Sequence, residues 1–264
     1  MDKARQLILL SFDIEEFDVP CEHGVDLPME EQIRISAEGT HAILDVLKDH
    51  GVRATFFSTA NFAQRAPEII QRLIQEGHEL ASHGFYHSSF EVADLKKSKE
   101  ALEAQTGQTI RGYRMARMMP VSEVEVAKAG YTYNTSLNPT FIPGRYMHLG
   151  TPRTHFMQDG VLQIPASVTP WVRFPLFWLS CHNLPFFLYH WLCRRTLRHD
   201  GYLVTYFHPW EFYELNEHPE FGLPFIVRNN SGRGMIKRLD RWIASFKGEG
   251  ASFITYSEFA DSIS

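Results

Sequence analysis

A chain of 264 residues with 44% hydrophobic and 22% charged side chains is long and apolar enough to bury a full α/β core, which excludes an intrinsically disordered protein. The formal charge of -5 has no basic block within it, so nucleic acid is not an expected partner. Cys21, Cys181 and Cys193 are odd in number and lack CxxC spacing, which argues against a disulfide framework or a thiolate zinc site and fits a reducing compartment.

Met1 to Gln6 runs directly into Leu7-Ile8-Leu9-Leu10, an apolar run too short for a signal peptide and followed by acidic residues. We therefore expect a cytoplasmic location and a first strand over Leu7–Phe12, delivering the carboxylates Asp13, Glu15, Glu16 and Asp18 to one mouth. Ile43, Leu44, Val46 and Leu47 have helical spacing, predicting a helix over Ser36–His50 with Gly51 as its stop. A strand over Val52–Ser58 follows, then a helix opened by Pro67 and running through Glu76, closed by Gly77. The pattern continues with a strand ending at His83, a helix over Val92–Thr106, a strand over Thr109–Tyr113, a helix over Val121–Ala129 and a strand over Tyr131–Thr135.

From Asn138 to Pro175 prolines mark loops around a strand at Val161–Ile164. The stretch Trp171–Cys193 is rich in Phe, Trp and Leu, but Arg173, Pro175, His182, Asn183 and Pro185 interrupt it, so it is not a membrane span of about 20 apolar residues. It reads as a hydrophobic rim loop followed by a core helix over Leu184–Arg198, or as an interfacial surface that meets a bilayer or a lipid-linked substrate. A strand over Tyr202–Phe207, a helix over Met235–Phe246 and a last strand over Ser252–Tyr256 complete the chain. Alternating strands and helices without repeat or linker predict one domain over 1–264, an α/β barrel of about seven parallel strands.

The stretch Gly77-His78-Glu79-Leu80-Ala81-Ser82-His83-Gly84-Phe85-Tyr86-His87 places two imidazoles four residues apart where a strand opens into a loop. Two neutral imidazoles leave room for a carboxylate and a water around a borderline divalent metal. Two loop histidines satisfied by hydrogen bonds would carry the same spacing. On the barrel reading, Asp13, His83, Arg114 and His208 each stand at a strand's C-terminal end and would converge on one rim.

Ser11-Phe12-Asp13-Ile14-Glu15, His83-Gly84-Phe85-Tyr86-His87, Gly112-Tyr113-Arg114 and Tyr206-Phe207-His208-Pro209-Trp210-Glu211 together resemble the motifs of the polysaccharide deacetylase family, carbohydrate esterase family four. Val52–Phe57 and Phe253–Phe259 resemble its framework segments, so the resemblance spans nearly the whole chain. It implies a distorted (β/α) barrel and metal-assisted hydrolysis of an N-acetyl or related amide. By resemblance, His83 and His87 are metal ligands, Asp13 is the general base, His208 the general acid, and Arg114 orients the base. Ile14 stands where the usual motif has a second Asp. The branch of the family with Asp-x-acid spacing makes Glu15 the third ligand, with Glu16 and Asp18 as competitors. Zinc fits a His/His/carboxylate set, and cobalt, nickel or iron would also bind.

Trp210 and Glu211 would line the sugar subsite together with Arg117, although a Trp after a strand is as often a packing residue. A backbone N–H near Met115–Arg117 would serve the oxyanion. Tyr133-Asn134-Thr135-Ser136 stands where relatives often carry an Asp that supports the catalytic histidine, which leaves the partner of His208 open. The expected function is removal of an N-acetyl group from an amino sugar or glycan precursor. The alternatives are a formamide or other amide hydrolase, acting for instance on a lipid-linked sugar, and a non-catalytic carbohydrate-binding relative.

Overall fold

Seven parallel strands form the barrel: β1 (Leu7–Ile14), β2 (Thr55–Ser58), β3 (Glu79–Ser82), β4 (Gly112–Tyr113), β5 (Tyr133–Asn134), β6 (Val161–Gln163) and β7 (Tyr202–Phe207). They are bonded in the order β7-β1-β2-β3-β4-β5-β6 in the computed structural model, which describes residues 6–263. Residues 1–5 and 264, which the one-domain expectation includes, lie outside the described residues. An antiparallel strand, Phe156–Gln158, flanks β6, and β8 (Ser252–Phe253) pairs with the start of β1.

Between β6 and β7 the ring is joined without a regular ladder. Ile164, just past β6, still bonds back to β5, its N–H donating to the Asn134 carbonyl at 2.9 Å, whereas the Ser167 N–H crosses to β7 and donates to the Val204 carbonyl at 3.0 Å. Pro165 between them has no N–H to give, so the barrel is distorted at this seam.

The interior follows from strand alternation. Ile8, Leu10, Phe12 and Ile14 of β1 face outward into the main core, with Ile43, Leu44 and Leu47 of α1 (Met29–His50). Leu9 faces inward, with Phe57, Ala81, Tyr133, Ile164 and Val204. Continuing that parity, Ser11 and Asp13 point into the barrel, and Glu15 follows on the same side as the strand ends. Asp-x-acid spacing is thus what a straight strand needs to present two carboxylates to one mouth.

Helices α2 (Ala60–Arg65), α3 (Pro67–Gln75), α4 (Val92–Thr106), α5 (Glu123–Lys128), α6 (Trp178–Asn183), α7 (Phe186–Asp200), α8 (Arg233–Gly248) and α9 (Tyr256–Ser262) complete the main framework. Several bounds differ from expectation. α1 starts at Met29 rather than Ser36, because its buried face includes Ser36, Gly39 and Thr40, whose small or polar side chains interrupt the apolar period. There the helix meets the backbone of the turn after β7, and a Cβ on Gly39 would lie 1.9 Å from the Pro209 carbonyl oxygen. The last strand ends at Phe253. Thr255 and Glu258 form a capping box that starts α9 at Tyr256. α2 and α6 are short helices that apolar periodicity did not predict.

Candidate active site

The strand ends bring a carboxylate and two imidazoles together below the surface of one pocket. Glu15 Oε2 lies 3.0 Å from His83 Nε2 and 3.1 Å from His87 Nε2, and all three residues are buried. Their ligand atoms lie within 4.8 Å of one another. His83 Nδ1 is 2.8 Å from the Arg114 carbonyl, which can only accept, so Nδ1 carries the hydrogen and Nε2 turns a lone pair to the cluster. His87 Nδ1 is 2.7 Å from Asp18 Oδ1, which orients that ring in the same way.

Burial alone would raise the Glu15 carboxyl, but the imidazoles of His87, His208 and His83 outweigh it and hold it down to about 2. Burial likewise works against a proton on His87, yet Glu15 and Asp18 push it up to about 9. Glu15 Oε2 is also buried without a hydrogen bond of sound geometry. Two imidazoles fixed from behind and one orphaned carboxylate oxygen fit a divalent metal with coordination positions left open.

Asp13 and His208 stand beside this cluster, with Asp13 Oδ2 3.8 Å from His208 Nε2. Arg114 is wholly buried and donates from Nη1 to Asp13 Oδ1, while Nη2 reaches Ser11 Oγ at 3.0 Å and Tyr256 Oη at 3.1 Å. Its guanidinium carbon lies 4.1 Å from the centre of the Phe57 ring. His208 stacks on Trp210 at 5.0 Å and 17°, and the Trp210 indole N–H points to Glu15 Oε1 at 3.4 Å. Burial disfavours a charge on His208, but Glu15, Glu211 and Asp13 raise its affinity for a proton.

The remaining candidates fall in different places. Glu16 faces away, accepting from Thr59 Oγ1 at 2.9 Å and Asn61 Nδ2 at 2.5 Å. Asp18 stands behind His87, as described. Arg117 and Trp210 line the pocket, the former already paired with Asp18 Oδ2 at 2.7 Å and with Glu22. Glu211, expected in the sugar subsite, is instead fully buried outside the pocket lining, with Oε1 2.8 Å from His208 Nδ1. It supplies the carboxylate missing from Tyr133–Ser136, because the turn Pro209–Phe212 curls its side chain back onto His208. Asn134 is engaged with Glu123 and Ser136.

Sequence reasoning missed Arg145, Tyr146, Trp178 and Tyr206, which also line the pocket. No motif flags Arg145, Tyr146 or Trp178, and Tyr206 stands in a quoted motif without a role assigned to it. Tyr206 alone was recoverable, from its alternation with His208 along β7.

The family model for polysaccharide deacetylases matches residues 2–133, half of the chain. The chain is 35% identical over 65 residues to the peptidoglycan-N-acetylmuramic acid deacetylase PdaA of Bacillus subtilis, covering 25% of this chain and 25% of that one. It is 34% identical over 92 residues to a chitooligosaccharide deacetylase of Sinorhizobium fredii, covering 35% of this chain and 40% of that one. These matches span well under two thirds of either relative. In fold, a Mycobacterium smegmatis protein whose name assigns it to the polysaccharide deacetylases superimposes with a TM-score of 0.68 at 21% identity, covering 99% of this chain and 91% of the other.

Proposed function

We propose that this chain, which belongs to the polysaccharide deacetylase family, is a metal-dependent hydrolase that removes an N-acetyl group from an amino sugar or glycan. The observation that carries the reading is the placement of Asp13 and His208 side by side next to the buried Glu15/His83/His87 cluster. The similarity to deacetylases of peptidoglycan and chitooligosaccharides supports an N-acetylated glycan as the substrate class.

Glu15, His83 and His87 would hold the metal, zinc being our choice for this donor set. Bound there, it would supply a Lewis acid that polarises the amide carbonyl and acidifies water. Arg114 occupies Asp13 Oδ1, which leaves Oδ2 to accept the proton of the attacking water. The Met115 N–H is already given to Ser136 Oγ at 2.8 Å, so the Ala116 or Arg117 N–H is left to stabilise the oxyanion. As the carbon–nitrogen bond breaks, His208 donates its Nε2 proton to the departing amine, releasing acetate and the free amino sugar.

The test is acetate release from N-acetylated chitooligosaccharides and peptidoglycan fragments by the zinc-loaded protein. Asp13→Asn and His208→Ala should each lower kcat by about a hundredfold or more. Undiminished turnover in either variant would overturn the assigned role.

A second observation favours a membrane-proximal, lipid-linked form of the substrate. Trp171 and Val172 are 84% and 79% exposed, on a loop tied to the Phe141–Met147 hairpin by the Thr140 hydroxyl. In that hairpin Tyr146 lines the pocket while Met147 is 79% exposed. No helix among the described residues is long and apolar enough to cross a membrane, so contact would be interfacial. Faster turnover of a polyprenyl-linked N-acetyl sugar than of the free sugar, lost in a Trp171→Ser/Val172→Ser variant, is the expected result. Equal rates would remove this reading.

A further inference from the structure

Behind His208 the hydrogen-bonded chain does not stop at Glu211. The second carboxylate oxygen, Oε2, lies 3.0 Å from Nε2 of His182, a residue with no solvent exposure. The other ring nitrogen of His182, Nδ1, lies 2.6 Å from the Asn229 carbonyl oxygen. One indole, Trp178, stands edge-on to both imidazoles, 5.8 Å from His182 and 5.4 Å from His208, at 87° to each.

Counting hydrogens defines the state of this pair. A carbonyl only accepts, so the hydrogen of that contact sits on His182 Nδ1. Another hydrogen must lie between Nε2 and Glu211 Oε2, since two bare acceptors would repel. The His182–Glu211 pair therefore holds one proton more than a neutral imidazole beside a carboxylate. Glu211 Oε1 meanwhile accepts from the His208 backbone N–H at 2.6 Å and faces His208 Nδ1 at 2.8 Å. Both oxygens are engaged, and the carboxylate cannot rotate without leaving a buried polar group unpaired.

We propose that His182 is a positioning residue: through Glu211 it holds His208 with Nδ1 protonated and Nε2 aimed at the pocket, and it balances the Glu211 charge. The anchor is rigid, because the His182 carbonyl is itself held by Asn230 Nδ2 at 2.7 Å. A buried carboxylate bonded to one histidine alone would present its full charge to that histidine. Shared with His182, it orients His208 while leaving it able to release its proton.

The catalytic consequence rests on the hydrolase reading above; the proton count does not. Nitrogen NMR of the zinc-loaded full chain, labelled with 15N-histidine, reads the count directly. Comparison with His182→Gln assigns the resonances. We expect hydrogen on Nδ1 of His182 and a second hydrogen shared between Nε2 and Glu211. A bare Nδ1, or an Nε2 signal showing no shared hydrogen, would overturn the proposal even if the protein turned over no glycan.

In kinetics, His182→Leu should lower kcat about tenfold to a hundredfold with KM unchanged within about twofold. His182→Gln, whose amide can still donate to Glu211, should recover most of the loss. Wild-type kcat in His182→Leu would also overturn the proposal. Failure of the wild-type chain to release acetate would remove the hydrolase reading instead.

Discussion

Asp18 Oδ1 lies 2.7 Å from His87 Nδ1, on the side of the ring opposite Glu15, so this carboxylate holds the imidazole from behind instead of competing for the centre. Arg117 in turn holds Asp18 through Oδ2. Asp18→Asn should therefore weaken zinc binding by about tenfold to a hundredfold while leaving the fold intact. Chelator competition against the unchanged chain measures this, and equal affinity would show that Asp18 contributes nothing to ligand orientation.

Arg114 pairs with Asp13 where neither reaches solvent. Removing the guanidinium leaves a buried carboxylate uncompensated, a loss of about 3–5 kcal/mol. Urea unfolding of Arg114→Met should show a fall of that order. Asp13→Asn placed in the same chain should recover part of it, since an amide is cheaper to bury than an unpaired charge. A loss below about 1 kcal/mol would show that the pair contributes nothing of that size to stability.

Gly39 gives a test in which two effects have opposite signs. Helix propensity alone predicts that Gly39→Ala stabilises by about 1 kcal/mol. The added Cβ would lie 1.9 Å from the Pro209 carbonyl oxygen, so we expect overpacking to win, with a net loss of about 1–3 kcal/mol. Because Pro209 follows His208 directly, activity should fall as well. Gly248→Ala, with nothing within 4 Å of the new atom, serves as the control that overpacking leaves untouched.

His78 predicts an acid-sensitive step in stability away from the pocket. Its Nδ1 accepts the Ala54 N–H at 3.2 Å, and burial holds its pKa down to about 4 from 6.5. Between those values the unfolded chain takes up a proton that the folded one refuses, so stability is lost as pH falls from 6.5 toward 4 and is complete above it. Between pH 7 and 5 this contributes about 2 kcal/mol of destabilisation. Urea titrations at the two pH values should show His78→Gln losing less than the native chain by that amount. Parallel losses would exclude His78 as the source.

Much of the fold was legible because it is written in contiguous residues. Val92–Thr106 and Tyr202–Phe207 have the bounds read from the sequence, and all seven barrel strands lie within or overlap predicted ones. The misses share a cause. The apolar period of α1 is interrupted where Ser36, Gly39 and Thr40 are buried, and α2 and α6 are too short to show a period. In the site, Asp13, His83, Arg114 and His208 were placed at strand ends by local pattern, and the structure brings them to one rim.

By itself, then, the sequence determined the alternation of strand and helix, the delivery of acidic residues to the end of β1, and the HxxxH spacing after β3. Each depends on dihedral periodicity over a few neighbouring residues. Tertiary structure alone decided that Asp18 backs His87 across 69 residues and that Glu211 turns away from the pocket to join His182 across 29. Those pairings arise from the curl of the barrel and the turn after β7. Burial then makes them obligatory, since polar groups removed from water must find partners wherever the fold places them.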